Sequence, residues 1–177
     1  IISFDYLSHS VENTVKKLGF TNFLPVNPDG IKVGKILVCG FQDREFGFED
    51  ALYTIATPDA FIVHGNDHTE IIDSDIHDAI KTEISALDHS RVLGMFQNNR
   101  ASGFPFMYKS FPMSDKIKQA KKVTDKNIVS GMRTAASLGA KYYHSYAGFT
   151  TIFVKHNEDF IEKNPVVLPN FEYIKTE

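Results

Sequence analysis

The stretch Ala60 to Glu70 reads AFIVHGNDHTE and brings His64, Asp67 and His68 close together along the chain. Imidazole nitrogens and carboxylate oxygens are ligands for divalent metal ions, and they are also the groups that act as general bases near neutral pH. The apolar run Ala60-Phe61-Ile62-Val63 ahead of them reads as a buried strand that stops at His64-Gly65-Asn66-Asp67-His68. In α/β proteins the carboxyl ends of strands open onto the loops that build binding sites, so this is where a metal or a general base belongs. Asn and Asp after Gly are equally the composition of an ordinary turn, and that reading stands beside the chemical one.

Such a site needs a scaffold, and 177 residues suffice for one domain with a real core. Hydrophobic residues at 42% and charged residues at 23% are a globular balance, which sets wholesale disorder aside. A formal charge of -3 argues against a nucleic-acid binder, because grip on phosphates needs clustered Lys and Arg. Lys16-Lys17 and the lysines from Lys116 to Lys126 read as solvated helix faces. No apolar run approaches the roughly 20 residues that span a bilayer, so no membrane association is expected. The single cysteine, Cys39, excludes an internal disulfide and an all-Cys metal site and suits a reducing, cytoplasmic setting. No Gly-rich strand–helix junction signals ATP or dinucleotide binding. The chain opens Ile-Ile-Ser-Phe without an initiator Met and reads as cut from something longer.

Taken in order, Leu7, Val11, Val15 and Leu18 predict an amphipathic helix over 4–18, capped at Ser8 or Ser10 and stopped by Gly19. Phe20 to Val26 reads as a strand, Asn27-Pro28-Asp29-Gly30 as a turn, and Ile31 to Val38 as a strand pair or a bulged strand about Gly34-Lys35. The polar and aromatic stretch Gly40 to Asp50 reads as a loop at a site. Ala51 to Thr57 should be a strand that turns at Pro58-Asp59 to lie antiparallel to Ala60–Val63. Ile76, Ile80, Ile84 and Leu87 predict a helix from Ser74, with His77 and His89 on its surface. Val92 to Phe96 is a further strand, and the segment after it packs down as a loop. Two helices are expected at 114–129 and 130–138, then a strand over 141–147 presenting His144, a further β-type run at 149–154, and a surface tail.

A β-run ending in Asp67 and a later one carrying His144, with helices between, resembles the second half of the metallo-β-lactamase fold. The nearest branch holds ascorbate-6-phosphate lactonase-like hydrolases and CMP-N-acetylneuraminate hydroxylase-like proteins. The resemblance rests on FEDALYTIATPDAFIVHGNDH at 48–68, RASGFPFMY at 100–108, MRTAASLGAKYY at 132–143 and HSYAGF at 144–149. It implies an α/β (α+β) class, an αββα sandwich incomplete at its N-terminus, with residues 1–155 forming its C-terminal part and 156–177 a surface tail. It also implies a centre of about two zinc, manganese or iron ions. Asp67 would bridge them, His144 would be a terminal ligand, and His64 or His68 a further ligand or a proton carrier. Arg100, Ser102 and Tyr108 would line a pocket for a small anionic substrate. Where many members carry a metal-binding His, this chain has Cys39-Gly40-Phe41-Gln42-Asp43, and the HxHxDH motif that supplies the principal ligands is absent.

The expected activity is metal-dependent hydrolysis of a small anionic ester, lactone or phosphorylated sugar. An iron-dependent oxygenase and a non-catalytic binding relative are the alternatives, and the sequence leaves a homo-oligomer open. A Rieske cluster would need two Cys and two His, which one cysteine cannot supply.

Overall fold

The computed structural model describes residues 1–42, 50–87, 91–97 and 110–146. Its elements in chain order are β1 (Ile2–Phe4), α1 (Ser10–Lys17), β2 (Leu24–Val26), β3 (Ile31–Val33), β4 (Ile36–Phe41), β5 (Leu52–Ala56), β6 (Phe61–His64), α2 (Ser74–Ala86), β7 (Val92–Gln97), α3 (Met113–Ser137) and β8 (Tyr142–Tyr146). The class is mixed α/β. β3 to β8 form one six-stranded sheet in sequential order, and β1 and β2 pair as a separate parallel ribbon.

The order of the main sheet follows from its connections. Val33 pairs with Ile36 across Gly34-Lys35, where Gly34 takes φ 62° and Lys35 keeps negative φ, the pattern of a two-residue hairpin with Gly first. Thr57 to Ala60 closes the β5–β6 hairpin, with the Thr57 hydroxyl donating to the Ala60 carbonyl. From β6 onward the chain instead crosses over through a helix each time. β6, β7 and β8 are therefore parallel neighbours, joined by α2 and α3.

Strand alternation sorts the side chains. Leu52, Thr54, Ala56, Phe61, Val63, Val92 and Phe96 point to one face and are buried, and Ile80 of α2, Ala135 of α3 and Leu138 just after it cover them. Burying one such aliphatic or aromatic side chain contributes about 1.5–3 kcal/mol, so this layer is the main source of stability. Tyr53, Ile55, Ile62, His64, Leu93, Met95 and His144 alternate with them, lie on the opposite face and are half-buried. The β1–β2 ribbon sits at one corner of that second face. The Tyr53 hydroxyl accepts from the Phe4 backbone N–H at 3.1 Å, and the Phe4 ring and Val26 close over Gly40.

Two expectations about the helices are corrected. The first helix begins at Ser10 with His9, and not Ser8 or Ser10, at its N-cap, and Ile2 to Phe4 ahead of it are taken by parallel pairing with Leu24 to Val26. Leu7, which fits the helical stripe, lies outside the helix and is 91% exposed. α2 begins at Ser74 as its spacing predicts, capped by Asp73, whose carboxylate accepts from the backbone N–H groups of Asp75 and Ile76. Residues 113–137 are one continuous helix, so Ser130 caps nothing and Gly131 is a packing position instead: a Cβ there would lie 2.8 Å from the Tyr143 hydroxyl. The expected strand at 149–154 and the tail 156–177 lie outside the described residues.

One polar clip crosses the helix-covered face. Glu83 of α2 accepts from the Cys39 thiol at 3.1 Å and from the Thr54 hydroxyl at 2.9 Å. Burial, helped by the Glu83 carboxylate, pushes the Cys39 thiol up to about 12. Thiolate is the reactive form. Ellman's reagent should therefore label Cys39 in the folded protein about a thousandfold more slowly than in denaturant; native labelling within tenfold of the denatured rate would contradict the clip.

Candidate functional site at the carboxyl ends of the parallel strands

β6 switches the sheet from antiparallel to parallel pairing, and the chain leaves it at His64. Register sets Tyr53, His64, Met95 and His144 in one row across four adjacent strands. Partnered residues share a face, so His64 and His144 lie on the same side, two strand spacings or about 10 Å apart at Cα.

The loop after β6 is tied on both sides. The Gly65 backbone N–H donates to the Met95 carbonyl at 2.7 Å, which continues the parallel pairing past the strand. Asn66 adopts φ 51°, a left-handed conformation that Asn tolerates better than most residues. Its carboxamide Nδ2 donates to Asp50 Oδ1, which also accepts from the Ala51 backbone N–H at 2.9 Å. The Asn66 backbone N–H donates to His64 Nδ1 at 3.1 Å. His68 is fully buried, with Nδ1 2.9 Å from the Gly65 carbonyl oxygen and 3.6 Å from Asp50 Oδ2.

The residues named from sequence separate here. Asp67 is exposed, His64 and His144 are half-buried on the face opposite α2 and α3, and His68 is buried. Burial holds the His64 imidazole below its ordinary value of 6.5, which favours the neutral ring at neutral pH. Asp50, which sequence reading placed only at the end of a loop, joins His68 and Asn66. Its type carried no distinguishing signal, since its partners lie well downstream. Arg100, Ser102 and Tyr108 lie outside the described residues, as do Asp43 and His89. His77 stands apart: its Nε2 is 2.7 Å from the Ser137 hydroxyl and links α2 to α3.

An exposed carboxylate and half-buried imidazoles are a donor set for a borderline divalent ion. Among the described residues no three His, Cys, Asp or Glu side chains converge as a metal-holding group. No helix among the described residues is long and apolar enough to cross a membrane. Comparison with protein-family models, curated proteins and solved structures finds no match for this chain.

Proposed function

We propose that the protein is a metal-dependent hydrolase of a small anionic ester, lactone or phosphorylated sugar, working in the cytoplasm with zinc, manganese or iron. The observation that carries the reading is the alignment of β6, β7 and β8. Their carboxyl ends lie side by side, Asp67 leaves the first of them into solvent, and His144 stands on the last in register with His64. Ligands offered at the carboxyl ends of neighbouring parallel strands are where α/β enzymes assemble sites.

Asp67 and His144 would hold the metal. Bound there, a divalent ion supplies a water acidified toward a pKa of about 7, and hence a nucleophile at neutral pH. The chain's own contribution is positional. Asp50 and Asn66 fix the loop that carries Asp67, and the half-buried apolar row of Ile55, Ile62 and Leu93 beside the histidines limits water at that face.

The test is elemental analysis and hydrolysis of phosphorylated sugars and lactones by Asp67→Asn and His144→Ala. Each variant should bind zinc or manganese at least about tenfold more weakly than the parent, with turnover lost in parallel. Metal content unchanged in both variants would reject the reading.

A further inference from the structure

The two sides of α3 differ in kind. Ala120, Thr124, Ile128, Gly131 and Ala135 form its buried side, the one that meets β7 at Gly131 and Ala135. Lys118, Lys122, Lys126 and Arg133 are exposed on the opposite side. At 100° per residue these cations fall within about 80° of arc, and at 1.5 Å rise they run about 22 Å along the axis. Lys116, which sequence reading grouped with the solvated lysines, is 5% exposed and belongs to the buried side. The carboxylates of α3 do not neutralise the stripe. Asp125 is bonded to Lys121 at 3.0 and 3.3 Å, to one side of it, and Asp115 sits in the first turn, at its end. Among the described residues no ion pair engages Lys118, Lys122, Lys126 or Arg133. Val129 lies among the cations and Met132 beside them, 42% and 38% exposed.

We infer that this face of α3 is a docking surface for an extended acidic peptide segment of a partner protein. Lys118, Lys122 and Lys126 stand about 6 Å apart along the axis, and alternate side chains of an extended chain are about 6.7 Å apart on one side. Carboxylates at every second position of such a segment therefore meet the lysines in turn, and Val129 and Met132 take an apolar residue beside them. A partner helix matches less of the stripe, because helices that pack at about −50° diverge within two turns. A nucleic acid matches less again. The formal charge of the whole chain is -3 although α3 carries six cations against two carboxylates, so the rest of the chain is net negative and repels a long polyanion. The apolar side of α3 is already packed on the sheet, which leaves none to enter a bilayer.

The experiment titrates the 15N- and methyl-labelled chain with a ten-residue peptide alternating Glu and Ser, in about 50 mM salt. Saturable shifts should be confined to the amides of residues 118–133 and the Val129 methyl groups. Lys122→Glu with Lys126→Glu should weaken binding at least about tenfold, and so should raising the salt to about 300 mM. Lys32→Glu with Lys35→Glu reverses two exposed charges on β3 and its turn, and should leave the affinity within about twofold. All four substituted positions are exposed, so melting temperatures should stay within about 3 °C of the parent, and charge rather than folding is read. No saturable shift below about 1 mM peptide overturns the inference, as does an equal loss in the Lys32 and Lys35 variant. A peptide of the same composition with its Glu residues contiguous should bind at least about threefold more weakly, and equal binding overturns the extended match. Tighter binding of α3 to oligothymidylate, or to vesicles containing phosphatidylserine, at the same salt would assign the stripe to a nucleic acid or a membrane and overturn the peptide.

Discussion

Phe96→Ala should be the most damaging single truncation near the site, lowering stability by about 3–5 kcal/mol. The ring is fully buried in the main core with Phe61, Val63 and Ile80. It also underlies the β6 loop: a Cβ built on Gly65 would sit 2.6 Å from Phe96 Cδ1, and one built on Gly131 3.1 Å from Phe96 Cβ. One side chain thus touches the strand-end loop, its own strand and the middle of α3. For a domain of this size the loss corresponds to a fall in melting temperature of about 10 °C. The local consequence separates this position from an ordinary core residue. Hydrogen exchange at the amides of Gly65 and His68, which bond to the Met95 and Gly65 carbonyls, should accelerate beyond the global change. Ile80→Ala is the control. Ile80 is equally buried but belongs to α2, so its loss should destabilise globally by about 2–5 kcal/mol without singling out those amides. Equal acceleration in both variants would mean that the loop opens only with the whole domain.

The parts of this architecture that were legible in the sequence are those whose signal is local. Leu52 to Ala56 and Phe61 to His64 declared themselves as strands with a turn between, and Ile76, Ile80 and Ile84 marked α2, because period and punctuation are properties of neighbouring residues. β1 was not legible. It is three residues long and exists through pairing with β2, some twenty residues downstream, and that pairing removes Phe4 to Ser8 from the helix their spacing suggested. Gly131 illustrates a different failure. The segment reads as two helices parting between Val129 and Ser130, yet α3 runs on through Gly131, where the missing side chain admits the Tyr143 hydroxyl. At the site, the density of His and Asp after β6 was visible, whereas the division of labour among them was not. That division is set by which backbone group each ring meets, and by Asp50, sixteen residues before the Asn66 it holds.

The contact between β7 and α3 offers the second large effect, and it admits a test that simple truncation does not. A Cβ added at Gly94 would lie 2.6 Å from the Ala135 Cβ and 3.3 Å from Phe96 Cε2, closer than carbon atoms pack. In an open strand, replacing Gly by Ala gains stability by restricting the unfolded chain. Here Gly94→Ala should instead cost about 2 kcal/mol, and Gly94→Val about 3 kcal/mol, because α3 must move off the sheet to make room. Ala135→Gly alone should cost about 1 kcal/mol, the helical penalty of glycine, and slightly more for the lost contact. If the clash is the cause, the double variant Gly94→Ala with Ala135→Gly moves one methyl group from helix to strand and restores the spacing. Its stability should then lie at least about 1 kcal/mol above the sum of the single changes. Urea denaturation of all four proteins measures that coupling. Additive losses would place the Gly94 penalty in the strand's own backbone and not in its contact with α3. Positive coupling would show that the helix is seated on β7 through this pair, and β7 is the strand that lies between His64 and His144 in the row of candidate functional residues.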